Sequence, residues 1–185
     1  PDFIGADTIA TINLTDPLWS DYILEADASS NAGGGGYLSN AILIFDYQSP
    51  SDFKYAGAFG SYGQWRIGAR TSSGWELDGW VSDVISADKS YDLQVRVQGD
   101  VATLYVDGQA ILVNEFGDAL DDGLLGIGSV NAKSYFDNVT VGPLDQTDLE
   151  FIELYNPTGS DIDMSEWLDN PHAPSQYLAD WRLRG

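Results

Sequence analysis

Tyr91-Asp92-Leu93-Gln94-Val95-Arg96-Val97-Gln98 sets an apolar side chain at every second position, the period of an extended strand with one buried face. Gly99-Asp100 follows, then a second run from Val101 to Val106, then Asp107-Gly108 and a third run from Ala110 to Val113. Asp-Gly between alternating runs is a tight hairpin signal, because both turn positions need positive φ. The stretch therefore reads as three consecutive antiparallel strands. Working outward, Thr8–Leu14, Tyr22–Ala28, Ala41–Tyr47, Gln64–Arg70, Trp75–Trp80 and Phe136–Val141 have strand length and strand composition. Gly123-Leu124-Leu125-Gly126-Ile127-Gly128 matches no phosphate-loop spacing and has no basic residue after it, so it reads as a glycine-bearing strand. No segment carries a helical apolar stripe. About eleven short strands separated by polar turns predict an all-β, antiparallel β-sandwich. Period-2 placement puts Trp65, Ile67, Val95, Val97, Leu104, Val106, Ile127 and Val139 in its core.

Charge narrows the function classes. The 185 residues hold 29 Asp and Glu against 8 Lys and Arg, a formal net charge of −21. Binding a nucleic-acid backbone or an anionic membrane surface requires clustered cations, so both classes are disfavoured. With 43% hydrophobic and 12% aromatic residues, the chain has material for a packed core despite its charge. Cysteine is absent, which removes disulfides and thiolate metal sites. So acidic a chain suits a salty or calcium-rich exterior, where its carboxylates are screened, and an extracellular or cell-surface location is expected. No signal peptide is present, and the chain opens on Pro1 rather than Met, which leaves room for upstream sequence.

Strand periodicity stops at Gly142. A linker is expected over 143–148, and Leu149–Tyr155 is one more strand in a segment, 149–185, too short to bury its own core.

Candidate chemistry is concentrated between residues 45 and 80. Trp65, Trp75 and Trp80 lie there with Tyr47, Tyr55, Phe59 and Tyr62. Exposed rings can stack on the C–H faces of sugars, whereas buried ones serve packing. Strict alternation would send Trp75 and Trp80 to opposite faces, so one of the two is expected outside. Arg66 and Arg70 share a strand face and could clamp an acidic ligand, although pairing with surface carboxylates is the expected use. Trp75, Trp80, Tyr62, Arg66 and Arg70 form the expected ligand site. For calcium, Asp118, Asp121 and Asp122 supply hard oxygens in a loop before Gly123, without EF-hand spacing. The single histidine, His172, lies in a proline-flanked stretch far from any nucleophile-elbow motif and reads as a loop residue. Glu25-Ala26-Asp27 places two carboxylates on one strand face, read as a solvent-facing edge.

The hairpin ending Val106-Asp107-Gly108, with Gly126-Ile127-Gly128 and then Tyr135-Phe136-Asp137-Asn138-Val139-Thr140-Val141, resembles the concanavalin A-like, laminin-G-like jelly-roll modules of large secreted bacterial proteins. The resemblance covers about 1–142 and implies a jelly-roll sandwich. It also implies another strand ahead of Pro1 and a structural calcium near Asp137. Jelly-roll glycoside hydrolases of similar fold use an E-x-D-x-x-E run; here Glu25 and Asp27 are followed by Ser30 where the second catalytic Glu belongs. Phe151–Pro157, Ile162–Ser165 and Asp180–Leu183 resemble the opening of a lamin-tail domain, so the polypeptide is expected to be part of a larger protein. Together these readings point to a non-catalytic binding or adhesion module, with glycan as ligand class and calcium as a structural ion. A structural spacer is the alternative, and a jelly-roll glycoside hydrolase the third reading.

Overall fold

The computed structural model describes residues 7–12, 14, 18–34 and 38–144, together with two short strands beyond them. The chain divides into two units, Pro1–Leu144 and Asp145–Gly185. In the first, a six-stranded sheet has the order β1 (Asp7–Ile12), β10 (Leu124–Val130), β3 (Asn40–Ser49), β4 (Asp52–Phe59), β5 (Gln64–Thr71), β6 (Gly74–Ser82). The five-stranded sheet has the order β11 (Ser134–Pro143), β2 (Asp21–Ser30), β7 (Tyr91–Gln98), β8 (Val101–Val106), β9 (Gln109–Glu115). Every neighbouring pair is antiparallel. This is the all-β sandwich that the alternation implies. In the second unit, β12 (Glu153–Tyr155) and β13 (Arg182–Arg184) pair antiparallel. β11 runs through Pro143, so that residue belongs to the strand and not to a linker. His172 lies outside the described residues.

The inner faces meet in one core. Tyr22, Leu24 and Ala26 from β2, Leu93, Val95 and Val97 from β7, and Ala102 and Leu104 from β8 face Leu43, Phe45, Ala56, Trp65 and Ile67. The buried indole of Trp65 stacks edge-on to Tyr91 and donates its Nε1–H to Asp83 Oδ2 at 2.9 Å. That bond and the Val84 N–H hold the Asp83 carboxyl below the usual carboxylate range. The Tyr22 hydroxyl donates to the Leu120 carbonyl at 3.0 Å, and burial pushes its own ionisation far up.

Two of the expected core positions depart from that reading. Ile127 is only partly buried against the core, and Val139 is 37% exposed. Asp137 pairs with Asp27 and Thr140 with Glu25, so Asn138 and Val139 together oppose the single residue Ala26. Asn138 takes φ 50°, and this bulge swings Val139 out of the alternation.

Candidate functional site

The six-stranded sheet is apolar on both faces. Ile42, Ile44, Phe53, Tyr55 and Phe59 alternate with the inner-core residues of the same strands and are buried on the outward side, with Ile9, Tyr47, Trp75 and Val130 packed against them. Rings form a continuous band there: Tyr47 stacks on Phe53, Phe53 meets Trp75 edge-on, and Trp75 meets Tyr55 at 5.0 Å between centroids. Gly68 makes the close approach possible. It pairs directly with Tyr55 across β4 and β5, and a Cβ there would strike both the Glu76 carbonyl and the Tyr55 hydroxyl. The ring crosses the space left by the glycine, and its hydroxyl donates to that Glu76 carbonyl at 2.9 Å. Burial pushes the phenol up to about 12; Arg66 opposes the shift and Asp78 adds to it.

Toward the β4–β5 turn the outward face becomes open. Gly60–Tyr62 forms one 3-10 turn, and Gly63 at φ 60° reverses the chain into β5. Tyr62 is left 56% exposed. The Arg66 guanidinium lies over Tyr62 at 4.2 Å and over Phe59 at 4.8 Å, with its Nε–H donated to Gln64 Oε1. Directly across from Arg66 on β6 stands Trp80, 53% exposed. Arg70 pairs across with Trp75, donates to the Thr71 carbonyl and lies over the indole at 5.8 Å.

All five expected ligand residues are thus brought to one region. The expectation that Trp75 and Trp80 take opposite faces is corrected. Gly68 pairs with Leu77 and Ile67 with Gly79, so Asp78 is an extra residue in β6. A bulge resets the parity, and both tryptophans end up outward beside an arginine. The expected pairing of the two arginines with surface acids is also corrected: among the described residues the ion pairs are Lys54–Asp46 and Lys89–Asp107. Asp78 stands in the bulge with its carboxyl pushed up, by burial first and then by Glu76, with Lys54 opposing.

The outward face of the other sheet is acidic. Asp137, Asp27 and Asp92 are direct cross-strand partners on β11, β2 and β7. Asp107 continues the row, accepting the Asp92 backbone N–H at 3.1 Å. Asn138 donates to Asp27 at 2.6 Å, Gln94 donates to Glu25 at 2.6 Å, and Arg96 donates to Gln94. Burial, then Glu25, Asp27 and Asp107, push the Asp92 carboxyl up. β2 lies inside its sheet, so Glu25 and Asp27 do not form a strand edge. Ser30 is buried and exchanges a hydrogen bond with Ser39 at 2.9 Å.

The third group surrounds the loop before β10. Asp122 accepts Gln48 Nε2 at 2.5 Å, and the same amide reaches Asp46 at 3.2 Å. Asp46 is buried, takes φ 48° and pairs with Lys54 at 3.7 Å. Burial is the first cause of its raised pKa, while Gln48 and Lys54 oppose the shift. The sequence reading missed Asp46, although a lone carboxylate inside the apolar run Ile42–Tyr47 was its signal. Asp118 is exposed. Among the described residues no group of three or more Asp, Glu or His side chains is arranged to hold a metal ion.

No protein-family model and no curated protein matches the chain. Solved structures do match in fold. A carbohydrate-binding module, CBM66 from Bacillus subtilis, matches with TM-score 0.64 and 18% identity over 74% of this chain and 81% of that one. Galectin LEC-6 of Caenorhabditis elegans matches with TM-score 0.53 and 17% identity over 76% and 94%. Sheep galectin-11, in complex with glycerol, gives 0.55 and 10% over 73% and 96%. The chain therefore has the β-sandwich jelly-roll fold of these proteins.

Proposed function

We propose that the protein is a non-catalytic glycan-binding module whose site is the outward face of β5 and β6. The observation that carries this reading is the arrangement of Tyr62 and Trp80, both more than half exposed, on either side of Arg66. Two rings can stack on sugar C–H faces while a guanidinium donates to sugar oxygens between them. Trp75 and Arg70 extend the same face along the strands. The fold likeness to a carbohydrate-binding module and to galectins supports the reading. A structural spacer is the second reading, favoured by the burial of Phe53, Tyr55 and Phe59, which commits those rings to packing. The absence of a carboxylate at Ser30 supports a non-catalytic role.

Within this reading the module is extracellular and resembles the laminin-G-like units of secreted multidomain proteins, with 149–185 opening a lamin-tail-like neighbour. A structural calcium would fall to Asp118, Asp121 and Asp122 beside Asp46, or to Asp137 beside Asp27. Calcium should then raise Tm more than sodium at equal ionic strength, and an identical response to the two ions removes the ion from the proposal.

Glycan-array screening followed by titration tests the main reading. Trp80→Ala should weaken binding about tenfold or more with Tm unchanged, since an exposed edge-strand ring contributes little to stability. A glycan ligand whose affinity ignores both Trp80→Ala and Tyr62→Ala refutes this site.

A further inference from the structure

The chemistry around Arg66 and Arg70 narrows the ligand class, an inference that rests on the glycan-binding reading. In a chain with 29 acids and 8 basic residues, a surface guanidinium ordinarily finds a carboxylate. Arg66 and Arg70 have none among the described residues. Arg66 commits one N–H to Gln64 and Arg70 one nitrogen to the Thr71 carbonyl, and among the described residues no further hydrogen bond engages the rest of either fork. Acids are also absent from the outward side chains that flank the two arginines on the paired strands. Outward positions alternate along paired strands, and on β4 and β5 they are Phe53, Tyr55, Gly57 and Phe59, then Gln64, Arg66, Gly68 and Arg70. Their β6 partners Trp75, Leu77 and Trp80 are likewise uncharged. Asp78, the extra residue in the bulge, acts on the same Tyr55 hydroxyl as Arg66, yet among the described residues it forms no ion pair with either arginine.

We infer that the ligand is an acidic oligosaccharide, carrying carboxylates on separate sugar residues that Arg66 and Arg70 bind as forks. Guanidinium is weakly hydrated and matches a carboxylate with two parallel N–H donors, which a neutral hydroxyl pair does not repay with charge. The two arginines are four residues apart on one extended strand, about 13 Å at the usual rise. One sugar ring is too short to reach both, so the charges belong to different residues of an oligomer. Trp80 and Tyr62 would take the ring faces at the Arg66 end. The net charge of the protein opposes the approach of an anion, but that field is screened beyond about 8 Å at physiological ionic strength, while the contact at the forks is not.

The test is calorimetric titration of the full chain with an oligogalacturonate, with the methyl ester of the same oligomer, and with a neutral oligogalactoside. The free acid should bind about ten- to hundredfold more tightly than its ester. Arg66→Gln and Arg70→Gln should each reduce that preference, and Arg66→Lys should restore only part of it. Arg96→Gln, on the other sheet, should leave it unchanged. The comparison of acid with ester uses the unaltered protein, so it stands even if a variant folds poorly. Equal affinity for acid and ester, or a preference that survives both glutamine substitutions, overturns the acidic-ligand inference and leaves glycan binding standing. Failure to bind any saccharide, on the array or in solution, overturns both.

Discussion

On the outward side of the six-stranded sheet Phe53, Tyr55 and Phe59 are buried among other rings, while the outward side of the five-stranded sheet presents Asp27, Asp92 and Asp137 in one cross-strand row. Both faces sit on strands whose opposite faces share one core. The difference is written strand by strand. β2 buries every second residue, as a strand with one wet face does, whereas β3 is buried without interruption from Asn40 to Asp46. Uninterrupted burial marks a strand with both faces covered. The apolar side is stiffened by interlocked rings and ends in an open arginine-bearing margin. The acidic side accumulates repulsion, since like charges directly opposite each other destabilise a sheet. One face resembles a second core with an open margin, the other a solvated surface under electrostatic load.

Truncating the rings tests that contrast most strongly. Phe53→Ala should cost about 3–5 kcal/mol in urea unfolding, as large as a cut in the inter-sheet core. Thr103→Ala, outward on β8, should stay within about 0.5 kcal/mol. A loss below about 1 kcal/mol for Phe53→Ala would mean that the outward rings are not a core, and the contrast would collapse. Tyr55→Phe is the gentler cut. It removes the donor to the Glu76 carbonyl while keeping the ring, and should cost about 1 kcal/mol.

How much of this was legible depends on sequence distance. The hairpins from Tyr91 to Val113 are visible because alternation and turn residues are local, and Trp65, Val95, Val97 and Leu104 are in the core as the alternation requires. Bulges are where alternation misleads. One extra residue at Asp78 moved Trp80 to the face of Trp75, and Asn138 moved Val139 outward; neither has a composition signal strong enough to announce it. The aromatic and arginine residues of the candidate site were legible as a cluster, because four consecutive elements bring them together. Their lack of acidic partners was not, since it depends on which residues face the same way. The aspartate row was equally hidden: Asp27, Asp92 and Asp137 meet only because β2 inserts between β11 and β7, a pairing that nothing local specifies.

The smallest effect expected concerns that row and its response to pH. Asp92, Asp78 and Asp46 all have carboxyls pushed up by burial first, with neighbouring acids adding to the shift. In the unfolded chain each returns toward about 3.9. Between the raised folded value and that unfolded value the native state holds more protons, so stability rises as pH falls through the window. Asp83 works in the opposite sense. Its carboxyl is held down by Trp65 and the Val84 N–H, so its contribution is present above the unfolded value and is lost as pH falls through the folded one. Tm should therefore climb as pH falls through the raised carboxyl values toward the unfolded value of about 3.9, and turn down once Asp83, held below its ordinary value, takes its proton. Asp92→Asn removes a charge from the row without changing its shape. It should raise stability near neutral pH by about 0.2–1 kcal/mol, lessen the climb, and add little in acid, where the wild-type carboxyl is already protonated. Salt should narrow the gap between the two proteins, because the row is outward and screened. A substitution that destabilises at neutral pH would show instead that the Asp92 carboxylate is held by favourable contacts that outweigh its repulsion with Glu25, Asp27 and Asp107, and the acidic face would then be a bonded network rather than a loaded one.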